Sequence, residues 1–282
     1  MLIDAHIHLW RVGKNGFEWP TPDLAPIHRD FAPADIRAAA GQALSGVVAV
    51  QSQPSEADTA WLLWLAERQP LIHGVVGWTD LAAPDAGLRI AEAAANPRLR
   101  GLRPMLQNLE DDGWILRPEV APALAAMQTH GLVFDALVHT RHLAAICRVA
   151  ELYPDLRIVI DHAAKPPIAT QRERPEETLK WFEAITAAAQ YPSIVCKLSG
   201  LFTEMSPDQP PEAADPFIAH LLEVFGPDRL LFGSDWPVVN LRGDWSGWHS
   251  YLTRKLSALT PTQRDAIFAF NAIKTYGLQG NP

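Results

Sequence analysis

Two histidines stand two positions apart near the start of the chain, His6 and His8 in Leu2-Ile3-Asp4-Ala5-His6-Ile7-His8. On an extended strand, residues at this spacing share a face and lie about 6.5–7 Å apart, so both rings can converge on one small object. Strict alternation puts Asp4 on that face as well. Burying two imidazoles is costly unless each is hydrogen-bonded or bound to a metal. A third imidazole, His162, ends Ile158-Val159-Ile160-Asp161-His162, where alternation groups it with Ile158 and Ile160. A carboxylate, Asp235, ends Leu230-Leu231-Phe232-Gly233-Ser234-Asp235, grouped with Leu231 and with Gly233, which leaves room beneath it. Such an Asp can also cap a helix, but Pro237 follows almost at once. Three imidazoles and one carboxylate suit two tasks. They could hold one divalent ion, since zinc accepts both donor types. Alternatively, the histidines polarise a carbonyl while Asp235 takes a proton from water.

A second group has the same inward-facing logic: Gln51, Arg103, Asp135 and Lys197, each near the end of a strand-like run. An inward guanidinium keeps its charge and needs an anionic or polar partner. Asp135 can be that partner, or Arg103 can grip a substrate oxygen, helped by Gln107 and Gln51. Trp10, Trp19, Trp78 and Trp236 fall at or just beyond strand ends. Aromatic walls with a few polar groups suit a sugar-like ligand, although packing is the ordinary use of tryptophan in a large barrel.

Eight runs must position these residues: Leu2–His6, Gly46–Gln51, Ile72–Trp78, Gly101–Met105, Leu132–Leu137, Arg157–His162, Ser193–Leu198 and Leu230–Asp235. Several are almost wholly apolar, as parallel strands buried on both faces are. Helix-compatible segments alternate with them: Glu56–Arg68, Pro84–Ala95, Pro118–Thr129, Thr140–Leu152, Pro175–Ala189, Ala213–Phe225 and Pro261–Tyr276. This βα repetition predicts an α/β fold, a single (β/α)₈ TIM barrel over residues 1–282, with reacting groups at the carboxyl ends of the strands. The strand-poor stretches 7–32 and 236–260 are expected as loops over that end.

Hydrophobic residues make up 48% and charged residues 20% of the 282, enough for a full globular core. A net charge of −8 without a long basic run argues against nucleic acid as a partner. No apolar run approaches the ~20 residues that span a bilayer, and no secretory signal pattern opens the sequence. Cys147 and Cys196 form neither a disulfide framework nor a zinc pattern, so the expectation is a cytoplasmic protein. Oligomeric state is not readable from the pattern.

With these residues in place, the chain resembles the amidohydrolase superfamily, in particular its amidohydrolase 2 branch. Within that branch it resembles the sugar lactonases, of L-fuconolactone hydrolase type, and the 2-pyrone-4,6-dicarboxylate lactonases. The segments that carry the likeness are DAHIHLW (4–10), VVGW (75–78), GLRPMLQ (101–107), FDALV (134–138), DHAAKP (161–166), CKLSGL (196–201) and LLFGSDWPV (230–238), in order along the whole chain. The resemblance implies a distorted barrel, with His6, His8 and His162 as active-site imidazoles and Asp235 as the carboxylate that activates water. The superfamily's strand-five histidine is replaced here by Asp135, with His139 only beyond it, and strand four carries no bridging residue. A dinuclear centre is therefore not expected. No metal is obligatory on this reading; one zinc, if bound, would sit on His6, His8, His162 and Asp235. The implied activity is opening of a sugar-acid lactone, with Trp10, Trp78, Asp135, Lys197 and Trp236 around the substrate. Two alternatives stay open: a zinc-dependent non-oxidative decarboxylase of the same superfamily, and a non-catalytic sugar-acid-binding barrel.

Overall fold

The computed structural model describes residues 1–278. Eight strands run parallel in the order β1 to β8: Ile3–Ile7, Gly46–Val50, Ile72–Gly77, Leu99–Leu102, Val133–Ala136, Ile158–Ile160, Ile194–Leu198 and Leu230–Phe232. The alternating helices α1 to α7 are Pro33–Ala40, Glu56–Arg68, Ala86–Ala93, Ala121–Thr129, Leu143–Leu152, Pro175–Ala189 and Asp215–Phe225. After β8 come α8 (Trp245–Lys255), α9 (Pro261–Asp265) and α10 (Asn271–Tyr276), the last two joined by a π-helical turn over Ala266–Phe270. This is the (β/α)₈ barrel that the sequence predicts. Six of the strands stop before the end of the predicted run, which continues there as irregular backbone, whereas β1 extends one residue past its run and β7 ends with it. The stretch 236–260 is not all loop: Asp244 caps α8 by accepting the Gly247 N–H at 2.6 Å, and Trp245 and Trp248 bury its inner face.

The two faces of the sheet are both apolar. Inside lie Val48, Val50, Val76, Val133, Val159 and Leu231, continuous with Tyr276 of α10. Outside, Val47, Ala49, Phe134, Ile158, Ile160 and Phe232 meet the helices. The C-terminal helices stop the amino-terminal mouth, where Arg157, just before β6, donates to the carbonyls of Lys274 and Thr275 at 2.8 Å. That leaves the carboxyl ends of the strands as the open face.

Alternation breaks at β1. Asp4 pairs with Val47 but Ile7 with Ala49, so three steps along β1 match two along β2. Such a bulge re-aims side chains. Asp4 therefore does not share the face of His6 and His8. Its carboxylate instead accepts from Trp245 Nε1 of α8 at 2.8 Å, the Ser234 N–H at 2.9 Å and the His6 N–H at 3.1 Å. Closure of the barrel occurs just past the end of β8. There the Asp235 N–H donates to the His6 carbonyl at 2.9 Å and the His8 N–H to the Trp236 carbonyl at 2.7 Å.

Candidate active site

That closing seam brings Asp235 against the two histidines of β1. Asp235 Oδ1 lies 3.3 Å from His8 Nε2, 3.7 Å from His6 Nε2 and 3.8 Å from His162 Nε2. His6 Nε2 and His8 Nε2 are 3.2 Å apart. All four side chains are buried.

The approach of His162 is made by an unusual turn. Residues His162, Ala163, Ala164 and Lys165 have φ of 50°, 51°, 57° and 52°. Left-handed backbone costs roughly 1–2 kcal/mol per non-glycine residue, so the surroundings must over-determine it. They do: Trp181 Nε1 donates to the Ala163 carbonyl at 2.8 Å, and His162 Nδ1 meets Ser199 Oγ at 2.9 Å. Gly200, itself at φ +67°, lies under the ring, where a Cβ would come within 2.6 Å of His162 Nδ1. The turn lets both Asp161 and His162 face inward, which alternation forbids.

Asp161 is the site residue that pattern reading missed. Its Oδ1 accepts from Lys197 Nζ at 2.8 Å, and its Oδ2 from Arg103 Nη1 at 3.3 Å. Lys197, wholly buried, also donates to Asp135 at 2.6 Å and to His6 Nδ1 at 3.0 Å. Asp135 in turn accepts from the Tyr276 hydroxyl at 2.9 Å. Asp135 and Lys197 are thus a platform beneath the histidines and do not reach the cavity. Arg103's carboxylate partner is Asp161, not Asp135. Its other amino group donates to the Gln51 carbonyl.

The charges follow from burial and neighbours. Burial, reinforced by the Lys197 ammonium, drives His6 well below the ordinary histidine range. Burial also brings His162 down to about 4, against the pull of Asp235 and Asp161. Burial alone would raise the Asp235 carboxyl, but the surrounding imidazoles outweigh it and hold it below the usual carboxylate range. Burial pushes Asp135 up to about 6, with Lys197 opposing. For Asp161, Lys197, His6 and Arg103 outweigh burial and hold it well down. The centre is therefore an ionised acid beside the uncharged rings of His6 and His162.

Above it opens a cavity of about 410 Å³ lined by His8, His162, Asp235 and Arg103, with Trp19, Gln53, Gln107, Asn108, Glu18, Lys165 and Glu204 around them. Gln107 Oε1 is buried without a partner among the described residues. Three of the four candidate wall tryptophans lie elsewhere. Trp10 is buried, its Nε1 donating to the Arg29 carbonyl at 2.7 Å. Trp236 packs edge-on against Phe31. Trp78 lines a separate cleft with α2 and α3 residues. Only Trp19 reaches this cavity. Gln51 also turns away from it, donating to the Arg103 carbonyl at 2.9 Å.

The donor set fits a single divalent ion. Ligands of a tetrahedral zinc, with bonds of about 2.0–2.1 Å, lie about 3.3 Å apart. The separations around Asp235 and between His6 and His8 bracket that value, from 3.2 to 3.8 Å. His6, His8 and Asp235 form one such cluster, and His6, Asp161 and His162 a second around the same ring.

Comparison with known proteins agrees with this architecture. The family model described as Amidohydrolase matches residues 3–278. An L-fucono-1,5-lactonase of Burkholderia ambifaria is 43% identical over 279 residues, covering 97% of this chain and 94% of that protein. An L-fucono-1,5-lactonase of Burkholderia multivorans is 34% identical over 286 residues, covering 98% and 96%. A crystal structure of a Burkholderia multivorans amidohydrolase with bound zinc superposes with a TM-score of 0.91 at 33% identity, over 99% of this chain and 100% of that one. Matched along nearly its whole length in sequence and in fold, the chain belongs to the amidohydrolase family.

Proposed function

We propose that this chain hydrolyses a sugar-acid lactone, opening a cyclic ester to the hydroxy acid. The observation that carries the reading is the ionised Asp235 carboxylate ringed by three imidazoles at the floor of a polar cavity. Lactonase relatives at 43% and 34% identity support the reaction class. The cavity's charges favour a neutral polyhydroxylated ring over a carboxylated one. Arg103's charge is already balanced by Asp161, and one of its N–H groups goes to the Gln51 carbonyl. Lys165 faces Glu204 at 3.6 Å, and Glu18 adds a further carboxylate. Glutamine, asparagine and glutamate side chains suit sugar hydroxyls.

Asp235 accepts a proton from a water that attacks the lactone carbonyl carbon, and then returns it to the ring oxygen as that oxygen leaves. His8 Nδ1 donates to the Val50 carbonyl at 2.8 Å, which turns its Nε2 lone pair toward the centre. Arg103 and the histidine edges face the negative charge that develops on the carbonyl oxygen. A divalent ion held by His6, His8, His162 and Asp235 would, when bound, polarise that carbonyl as a Lewis acid. Gln107, with its unpartnered oxygen, orients a substrate hydroxyl. The chain works as one barrel unit in the cytoplasm, on a small molecule and without nucleic acid. Among the described residues no helix is long and apolar enough to cross a membrane.

The test is a pH-indicator screen over a panel of sugar lactones, with and without chelator, on the wild type and on Asp235→Asn. Acid release by the wild type, lost in the variant while its fold persists, is expected. Near-normal turnover by Asp235→Asn would end this mechanism. A decarboxylase would instead release carbon dioxide and lose activity with the chelator.

A further inference from the structure

We propose that Lys197 commits His6 to be a hydrogen-bond donor toward the reaction centre, and so holds down the affinity of the histidine–aspartate set for a divalent ion. An ammonium carries three N–H groups. Three acceptors surround Lys197 Nζ: Asp135 Oδ2 at 2.6 Å, Asp161 Oδ1 at 2.8 Å and His6 Nδ1 at 3.0 Å. A proton on His6 Nδ1 would lie against the nearer ammonium, donor against donor, with the farther Asp161 Oδ1 at 3.3 Å to accept it. Nδ1 therefore accepts, and the uncharged ring carries its proton on Nε2.

The rest of the array agrees. His8 Nδ1 donates to the Val50 carbonyl, so His8 Nε2 bears a free lone pair. His6 Nε2–H then has an acceptor 3.2 Å away. Donors run in one direction, from Lys197 through His6 and His8 to Val50. With the opposite tautomer, two lone pairs would face each other across that 3.2 Å gap. Arg103 Nη1, 3.5 Å from His6 Nε2, is at the limit of a hydrogen bond there and has the nearer Asp161 oxygen at 3.3 Å.

An ion needs the Nε2 lone pair. Binding must move the ring proton from Nε2 to Nδ1, where Asp161 Oδ1, 3.3 Å away, would accept it. Lys197 then loses one of its three acceptors. The spacing admits an ion, while Lys197 opposes the tautomer that would ligate it. Outer partners of metal-binding histidines shift affinity about 10–100-fold, which is the size expected for Lys197. The oxyanion-facing use of His6 Nε2–H rests on the lactonase reading. The tautomer and the ion affinity do not, and both are measured without substrate.

Two measurements test this. In metal-free protein labelled with ¹⁵N-histidine, the His6 ring, identified by its loss in His6→Asn, should show the Nε2–H tautomer; an Nδ1–H ring overturns the proposal. Zinc titration calorimetry should show Lys197→Met binding about tenfold or more tighter than wild type. The double variant Lys197→Met, Asp135→Asn replaces a cation and an anion together and should keep that gain. Unchanged affinity in Lys197→Met, or a gain that vanishes in the double variant, overturns it. Should the variants not fold, the wild-type spectrum alone decides.

Discussion

Gly233 sits one step beyond β8, under the first histidine. A Cβ placed there would lie 2.8 Å from His6 Cβ and 3.1 Å from Ser199 Cβ. Carbon atoms in contact prefer about 3.5–4.0 Å, so Gly233→Ala forces roughly an ångström of movement. His6 cannot yield easily. Its carbonyl holds the barrel seam through Asp235, and Nδ1 is held by Lys197. Overpacking of this kind costs about 1–3 kcal/mol of stability. A misplacement of about 1 Å among reacting groups lowers turnover about 100-fold, equivalent to about 2.7 kcal/mol in the barrier. The assay is kcat and KM on the preferred lactone, beside a thermal unfolding curve. The expected result is a large fall in kcat, little change in KM, and a melting point several degrees lower. A variant within threefold of wild-type kcat would show that His6 need not be held this tightly, and the tight-floor argument would fail.

Further outcomes follow from burial and charge. Because burial takes His162 down to about 4 while Asp235 stays ionised, kcat/KM should be flat from about pH 5 to 8 and fall only below that; an acid limb centred near 6.5 would contradict the uncharged ring. Burial pushes Asp58 up to about 6, against the N–H groups of Ser52 and Gln53. The folded state then binds more protons than the unfolded one between its unfolded value of 3.8 and about 6, so its carboxylate loses stability as pH rises through that window. Urea unfolding should therefore show Asp58→Asn gaining on wild type, by up to about 3 kcal/mol, between pH 4 and 7; a pH-independent difference would refute this. Gln107→Ala should raise KM about tenfold with kcat nearly kept, the loss expected for one hydrogen bond to a substrate hydroxyl; equal KM values would place the substrate elsewhere.

The barrel was readable because burial on both faces makes parallel strands look apolar throughout, and helices fall between them at regular intervals. The convergence of His6, His8, His162 and Asp235 was likewise visible in their position at the ends of such runs. What failed was strict period-two counting. Along β6, Val159 and Asp161 share the inner face, so alternation offers that face to Asp161 or to His162, not both. A left-handed turn seats the two together, and little in His162-Ala163-Ala164-Lys165 announces it, since none is glycine. At β1 the bulge sends Asp4 outward to Trp245, a contact some 240 residues away in sequence that no local pattern encodes. Trp10 and Trp236 mislead for a simpler reason. Large rings near strand ends are used to pack the first loop against the seam, and only Trp19 is left facing the cavity.

The departures at β1 and β8 share a cause. β8 contributes only Leu230–Phe232 to the ladder, so the sheet is closed by residues beyond it. The two bonds that close it run from Asp235 N–H to the His6 carbonyl and from His8 N–H to the Trp236 carbonyl. The backbones that complete the barrel are therefore those that carry the reacting side chains. A regular ladder continued through these positions would alternate Asp235 and the β1 rings by the pleat. The bulge in β1 and the positive φ of 58° at Asp235 replace that alternation and turn all of them toward one point. Irregular backbone at this seam is thus the means by which one acid meets two of the imidazoles, while the left-handed turn after β6 brings the third. The regular part of the barrel, the interior valines together with Tyr276 below, supplies the rigidity that holds such strained backbone in place.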